Sequence, residues 1–295
     1  MEYLTLLEAS KLQTTNALRA GVISTFAESS AVLERLPFYN IAGNSYTYNR
    51  EETLPNVAFR AVNATYTADT GILNPLTESL VILGGLSQVD RILIKSQGNQ
   101  NSIRAIHDSM KSKAASLEYT RCFFKGDSSV TATEFDGLQK RLVSQQIIDM
   151  AGTLTLDALD QLIDAVQGSP SVLFMNKTMR RKVNALMRAA GHATETVSDA
   201  FGRQINSYSS IPIGIIEEDK DGDAILDFCE DAGTTTSIYA CRFGFDMLSG
   251  LQNGTVDVED LGLVETQYKT LIEWLTGLVV WHGKSAARLY GITNT

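Results

Sequence analysis

The longest helical pattern in the chain, NSIRAIHDSMKSKAASLEYTRCFF, does most to limit what it can fold into. Asn101 or Ser102 can cap its start, and Gly126-Asp127 follows its end. Apolar residues recur along it at helical spacing: Ile103, Ile106, Met110, Ala114, Leu117 and Phe124. Roughly 23 residues at about 1.5 Å rise each make a rod about 35 Å long. The sequence therefore predicts a helix that forms the spine of a domain.

A strand-rich region precedes this helix. NSYTYNREETLPNVAFRAVNATYT alternates polar with aromatic or β-branched residues around Leu54-Pro55-Asn56, which predicts a long hairpin with its turn there. Its apolar residues lie on one side only, as expected of a hairpin that projects from the body and is covered elsewhere. A further strand, ESLVILGGLSQVDRILIK, is predicted to bend or bulge at Gly84-Gly85. The loosely helical residues 1 to about 37, ended by Pro37, are predicted to be an arm more than a core element.

An α/β pattern follows the long helix. One predicted helix is capped by Thr155, a second runs from an Asn176 cap to Gly191, and the buried strand SVLFM separates them. Four more strands are predicted in IPIGIIEE, AILDF, TTSIYACRF and TLIEWLTGLVVWH. The second helix has a basic face that contains Arg180, Arg181 and Lys182. Such a face can bind an anion or contact an acidic neighbour, or it can simply be solvated. The solvated surface is favoured.

Charge and cysteine usage exclude several classes. The net charge of −9 argues against a dedicated nucleic-acid binder, because such proteins gain affinity by releasing phosphate counterions. Three cysteines at no metal-ligand spacing are expected to be reduced thiols in a cytosolic product. The first residues lack a signal-peptide pattern and no stretch approaches 18 apolar residues, so we expect neither export by a signal peptide nor a membrane span.

Gly283-Lys284-Ser285 matches the end of a phosphate-binding loop. That loop also needs a glycine at the position of Leu278, whereas Gly277 stands one residue too early. The residues between are bulky or β-branched and read as strand, and few residues follow for the helix such a loop requires. We expect a buried strand that ends at His282 and a polar turn opened by Lys284.

DKDGDAILDFCE offers carboxylates at the spacing of a calcium loop. The sixth position, which must be glycine, is Ala224, and the flanking segments are strand patterns. A plain acidic hairpin turn is favoured over calcium binding.

The common catalytic motifs are absent from the sequence. It contains no Gly-x-Ser-x-Gly, His-Glu-x-x-His, Cys-x-x-Cys or dinucleotide glycine pattern, and His107, His192 and His282 have no partners at a functional spacing. We predict no catalytic residue, no cofactor and no metal, hence a protein that is not an enzyme. A calcium- or nucleotide-binding α/β enzyme remains the remote alternative.

The order of these elements, with several sequence phrases, is similar to that of tailed-phage major capsid proteins with the Hong Kong 97 fold. The phrases are LERLPF, NSYTYNREETLPNVAFRAVN, GNQN, FFKGD, FDGLQKRL, LFMNKTMRRK, FGRQINSYSSIPI, TSIYACRFG and SGLQNG, which span nearly the whole chain. The resemblance implies an α+β fold with an N-arm, an E-loop hairpin, a peripheral domain with a spine helix, and an axial α/β domain.

The resemblance also implies a division of the chain. It is divided into an N-arm (1–37), the E-loop with flanking strands (38–90, the hairpin itself about 41–80), a peripheral domain (91–134), an axial domain (135–265) and a returning strand with the C-terminus (266–295). Inter-subunit contacts are expected from the E-loop and N-arm through Arg35, Arg50, Glu51, Glu52 and Arg60.

The function implied is that of a virion shell. Copies would assemble as pentamers and hexamers in the host bacterial cytoplasm around double-stranded DNA held by weak contacts, with portal, scaffolding and optionally decoration proteins as partners and no membrane. Some relatives crosslink through an E-loop lysine, yet residues 41–90 contain none, so noncovalent contacts are expected. The short segment before the hairpin favours a separate scaffolding protein. The alternative on the same fold is the shell of a cellular nanocompartment, from which genome context would distinguish it.

Overall fold

A computed structural model describes residues 30–96, 100–191, 195–198, 204–230 and 233–294. The α-helices are α1 Arg91–Ser96, α2 Gln100–Lys125, α3 Leu138–Arg141, α4 Leu156–Asp164 and α5 Lys177–Ala189, with one 3₁₀ turn at Ser144–Gln146. The strands are β1 Phe38–Asn40, β2 Ser45–Thr53, β3 Ile72–Ser79, β4 Val81–Asp90, β5 Ile147–Gly152, β6 Val172–Met175, β7 Glu195–Ser198, β8 Gln204–Tyr208, β9 Ile211–Ile215, β10 Thr235–Cys241, β11 Leu248–Gln252, β12 Asp257–Val264, β13 Gln267–Val280 and β14 Ala286–Thr293.

The first sheet is organised around β13. One edge of β13 pairs antiparallel with β4, while β11 and β12 pair with it one after the other, and β1 pairs parallel with β11. Residues 248–264, which the sequence analysis assigned to the axial domain, therefore form strands of this sheet beside the long helix.

The second sheet has the strand order β5-β14-β10-β6-β9-β8-β7. Helices α4 and α5 cover one face through an apolar cluster that includes Leu159, Met179 and Val183. Both predicted helix caps are confirmed: the Thr155 Oγ1 accepts from Ala158 N at 3.2 Å, and the Asn176 Oδ1 accepts from Met179 N at 2.8 Å. The predicted strand AILDF is wrong, because its residues form turns and one isolated bridge, Glu218 to Ala224.

The predicted spine helix is confirmed as α2, although it begins at Gln100, before the predicted cap. Its predicted packing face is confirmed only in part, at Phe124, which is fully buried. Ile106 and Met110 are mostly exposed, whereas small and polar residues face the first sheet; the buried polar ones are Asp108, Ser112, Ser116 and Thr120. These residues recur every four positions, close to the 3.6-residue period of an α-helix, but hydrophobic periodicity cannot find a face whose members are polar.

The described end of the predicted N-arm lies in the core. Val32, Leu33 and Leu36 are fully buried against the C-terminal half of α2. The buried Ser30 hydroxyl lies 2.6 Å from the Thr120 hydroxyl on that helix. The expectation of an arm is therefore wrong for residues 30–37, while residues 1–29 lie outside the described part of the chain.

Gly84-Gly85 was expected to bend or bulge, but β4 pairs with β13 through both glycines without a register shift. A methyl group on Gly84 would meet the backbone carbonyl of Ile272, whereas one on Gly85 would meet only the flexible end of Lys111 on α2. The glycines therefore serve close packing instead of curvature.

We expect Gly84→Ala to lower the free energy of unfolding by about 1–3 kcal/mol, because the backbone of β13 must shift to admit the new methyl group. Gly85→Ala is the matched control, with an expected effect within about 0.5 kcal/mol, because Lys111 can move aside. Urea denaturation of both variants is the measurement, and equal losses in the two would contradict the assignment.

Candidate assembly interface

The hairpin β2–β3 stands outside both sheets. Its strands pair antiparallel from Ser45 opposite Ser79 to Thr53 opposite Ile72 and form a two-stranded sheet of their own. The predicted turn at Leu54-Pro55-Asn56 is wrong as the hairpin end, because residues 54–71 form a long tip between the strands instead.

The tip exposes a set of apolar side chains. Leu54, Val57, Phe59, Val62 and Tyr66 are all between 65% and fully exposed. Proteins that remain monomeric rarely expose apolar residues in such a group, which is typical of an interaction site. The tip is accordingly the best candidate for contact with another protein chain.

The Arg60 side chain makes two contacts within the tip. Its Nη1 donates to the Ala64 carbonyl oxygen at 3.0 Å, and its guanidinium carbon lies 5.3 Å from the centroid of the Tyr66 ring. Arg60 therefore orders the tip in the single chain, in addition to any contact it makes elsewhere.

The other predicted contact residues fall into two places. Arg50 and Glu51 lie on β2 opposite Asn74 and Leu73, and Glu52 lies beside them with its side chain outside the described set. Arg35 is half-buried in the N-terminal segment, in a groove with Leu117 of α2. Arg50, Glu51 and Glu52 thus lie on one strand, Arg60 lies in the tip, and Arg35 lies apart from both.

Aromatic packing anchors one side of the hairpin base. Tyr48 is buried, its ring centroid lies 5.0 Å from that of Trp281, and its hydroxyl donates to the Val280 carbonyl oxygen at 3.1 Å. Tyr46 packs edge-on against the same indole with a centroid separation of 5.6 Å. Burial raises the pKa of the Tyr48 phenol to about 12, so it remains a hydrogen-bond donor.

An ion pair anchors the other side of the base. The Arg141 guanidinium on α3 donates from Nη1 to Glu78 Oε1 at 2.5 Å and from Nη2 to Glu78 Oε2 at 2.7 Å. Both side chains are at most 17% exposed. Sequence reasoning missed Tyr48, Glu78 and Arg141, because partners this far apart in the chain leave no local pattern.

The loop between α2 and α3 supports Arg141. Arg141 Nε donates to the Asp136 carbonyl oxygen at 2.5 Å. Lys140 binds this loop together, since its Nζ contacts Asp127 Oδ1 at 2.6 Å and Asp136 Oδ1 at 2.9 Å. Burial alone would raise the pKa of Asp136, but hydrogen bonds from Ser128 and Lys140 outweigh it and lower that pKa to about 2.

The predicted basic face on α5 is less uniform than the sequence indicates. Lys182 Nζ donates to the Thr293 carbonyl oxygen at 3.0 Å, so it holds the end of β14. Arg180 is half-buried, and Arg181 is exposed with a bond to Thr178 Oγ1 at 3.4 Å. Arg181 is thus the member of the three that is fully on the surface.

The acidic turn is built as a hairpin turn. Asp219 Oδ1 accepts from the backbone N–H groups of Asp221 at 2.8 Å and Asp223 at 3.0 Å. Asp227 pairs with Lys125 at 3.0 Å, and Glu230 is buried against Arg288 at 2.8 Å. Asp221 Oδ2 also contacts Lys220 Nζ at 2.5 Å, so four of the five carboxylates expected at a calcium loop have other partners.

Gly283-Lys284-Ser285 lies in a tight turn between β13 and β14. The Lys284 N–H donates to His282 Nδ1 at 3.0 Å, and Ser285 is fully buried. β13 ends at Val280, close to the predicted end, and the next strand follows at once, so no helix opens on this turn.

Glu118, Cys122 and Glu134 offer ligand atoms within 4.8 Å of one another. The Arg121 guanidinium already bridges the two carboxylates: its Nη2 donates to Glu118 Oε1 at 2.6 Å and to Glu134 Oε1 at 2.7 Å. Burial raises the pKa of the Cys122 thiol to about 12, so it is a poor metal ligand. The cluster is an ion-pair network. Of the histidines, His107 is exposed, and His192 lies outside the described residues.

Within the described residues, no helix is both long and apolar enough to cross a membrane.

A sequence model of the family described as major capsid protein GP7 matches residues 14–158, which hold the hairpin, α2 and the loop at its base. The chain is a major capsid protein with the Hong Kong 97 fold. Among curated proteins, no sequence matches it. As expected for such a capsid protein, it forms a shell from copies of itself, and its place is the shell of the particle.

Solved structures share this fold over most of the chain. The holo-SrpI encapsulin complex from Synechococcus elongatus PCC 7942 matches with a TM-score of 0.67 and 16% identity, over 90% of this chain and 88% of that one. The capsid of the native GTA particle matches with a TM-score of 0.64 and 14% identity, over 90% and 91%. A Mycobacterium phage Bobi structure matches with a TM-score of 0.60 and 13% identity, over 88% and 89%.

The ion pairs in the loop between α2 and α3 predict an acid-dependent loss of stability. Because the pKa of Asp136 is lower in the folded than in the unfolded chain, its stabilisation is present above about pH 4 and is lost as the pH falls towards about 2. We expect the free energy of unfolding of Asp136→Asn to be below wild type at neutral pH and to converge with it in acid. Denaturant titrations of unassembled protein at a series of pH values measure this, and a constant difference across pH would contradict it.

Proposed function

We propose that this capsid protein assembles as pentamers and hexamers into an icosahedral shell around the double-stranded DNA of a tailed bacteriophage. Its partners are further copies of itself, a portal protein, a separate scaffolding protein and optionally a decoration protein. Assembly takes place in the host bacterial cytoplasm. The family match and the phage-type relatives in fold support this proposal.

The single observation that carries the proposal is the exposed E-loop tip. Phe59 and Val62 are almost entirely exposed, and one copy of the chain offers them no cover. A second copy can supply the cover, and weak contacts repeated around a symmetric shell add to a stable container. Arg50, Glu51, Glu52 and Arg60 are proposed to contact the neighbouring subunit, with Arg35 as the contribution of the N-terminal segment.

The charge of the chain suits a container for DNA. With a net charge of −9, its surface gains little from counterion release, so packaged DNA is held weakly and can leave again. The basic residues Arg180 and Arg181 on α5 are proposed to meet solvent or an acidic neighbour instead of the genome.

A nanocompartment shell is the second candidate, and the likeness to the Synechococcus encapsulin favours it as the alternative. The two candidates differ in what the shell encloses. We expect particles from the native source to protect double-stranded DNA from nuclease, whereas protein cargo without protected DNA would overturn the phage proposal.

Size is the first measurement. The chain, expressed with and without a scaffolding protein from the same genome, is expected to sediment as capsomers or shells, and negative-stain images should show rings or closed particles. A 32 kDa monomer under both conditions would contradict the proposed assembly.

We expect Phe59→Ser and Arg50→Glu to reduce particle yield by about tenfold or more, because central interface residues contribute disproportionately to binding. Their effect on the free energy of unfolding should stay within about 0.5 kcal/mol, since both side chains lie on the projecting hairpin. Arg188→Glu, an exposed charge reversal on α5, is the control and should assemble normally. Wild-type particle yield from both hairpin variants would contradict the proposed contact.

A further inference from the structure

The E-loop is attached to the body at its base, which raises the question of what sets its direction. β2 and β3 pair with each other and with no strand of either large sheet. A two-stranded ribbon is marginally stable alone, so the base attachments decide where the tip points.

The first attachment is apolar. Tyr48 enters a small cluster with Ile41, Leu80, Leu251 and Val279, beneath the Trp281 ring. Apolar packing is non-directional, so it holds the base in place, and the hydrogen bond from Tyr48 Oη to the Val280 carbonyl oxygen at 3.1 Å fixes a single point of it.

The second attachment is directional. Arg141 meets Glu78 with two parallel N–H to oxygen bonds of 2.5 and 2.7 Å, an arrangement that fixes the relative orientation of both groups. Tyr48 Oη lies 3.5 Å from Glu78 Oε1, at the long limit of a hydrogen bond, so the two attachments meet at this carboxylate.

Arg141 is itself held in position. Its Nε donates to the Asp136 carbonyl oxygen, and the loop that carries Asp136 is bound by Lys140 and closed by a 2.9 Å bond from Gly137 N to Gly126 O. Gly126 directly follows α2. A continuous set of contacts therefore runs from the E-loop through Glu78 and Arg141 to the end of the spine helix.

We propose that Glu78 and Arg141 form a positioning pair that fixes the direction of the E-loop relative to the spine helix, and thereby the contact that the tip makes with a second copy of the chain. This inference rests on the proposed function for its second half. The first half concerns the single subunit and stands on the geometry of the base alone.

The position of the pair suits orientation better than stability. A largely buried ion pair loses much of its Coulomb attraction to desolvation, so its net contribution to folding is small. A bidentate pair still selects one geometry among several of similar energy. Loss of the pair should therefore loosen the hairpin and leave the body folded. Removal of Arg141 alone also leaves the Glu78 carboxylate without its partner, a cost that falls on the hairpin, because Glu78 lies on β3.

The test uses Arg141→Met, which keeps an unbranched side chain in place, and the double variant E78R/R141E, which restores opposite charges. Arg104→Met is the matched control, because Arg104 also binds a carboxylate, Asp260 at 2.6 Å, but at the far end of α2 from the hairpin base. Glu78→Gln, which keeps the shape of the side chain, serves if Arg141→Met does not fold.

Amide hydrogen exchange of unassembled protein is the first readout. We expect Arg141→Met to exchange about tenfold faster than wild type in β2 and β3, with β10 and β14 unchanged. The double variant should recover slow exchange, and Arg104→Met should match wild type in the hairpin. Unchanged hairpin exchange in Arg141→Met would overturn the positioning role.

Particle diameter in electron micrographs is the second readout. Arg141→Met should give a broader range of diameters or open sheets, and the double variant should narrow the range again. A loosened hairpin with uniform shells would overturn the link to the subunit contact. If wild-type protein forms no shell, the proposed function fails, while the exchange experiment still decides the positioning role.

Discussion

The aromatic cluster at the C-terminal end of the spine helix is the contact on which the rest of the structure depends. On one side, the centroid of the Tyr119 ring lies 5.2 Å from that of Trp274 in the first sheet and 6.0 Å from that of Phe38 in β1. On the other side, the centroid of the Phe124 ring lies 5.5 Å from that of Phe174 and 5.1 Å from that of Tyr239, both in the second sheet. One turn and a half of helix therefore joins three parts of the chain in one buried core.

Around this aromatic cluster the molecule has two parts, a packed body and an exposed extension. The body buries most of its apolar residues in two large clusters, although Ile106 and Met110 of α2 are exposed. The middle of α2 lies on the sheet through small polar residues such as Ser112 and Ser116, which allow a close approach. The E-loop has the opposite character, because its tip leaves large apolar groups in water. Such a distribution is unfavourable for a free monomer and becomes favourable only when another subunit covers the tip.

How much of this could be predicted depends on the range of the interactions. The spine helix and the caps at Thr155 and Asn176 follow from local patterns, and the structure confirms them. Most of the packing face of α2 was missed because many of its members are polar. The hairpin end was misplaced because the Leu54-Pro55-Asn56 signal marks only the start of a long tip. The pairing of Glu78 with Arg141 depends on the tertiary fold and leaves no trace at either position.

The strands β13 and β14, joined by the tight turn at His282 to Ser285, lie inside different sheets. β13 is the strand to which β4, β11 and β12 all pair, and β14 separates β5 from β10. Neither sheet can be completed before both of these strands have left the ribosome, because β4, β11 and β12 all pair with β13, and β5 and β10 both pair with β14. The body therefore cannot complete its fold without them, and the E-loop gains its anchor at Trp281 only when this segment is present. A subunit that is able to assemble can thus appear only after β13 and β14 have been synthesised.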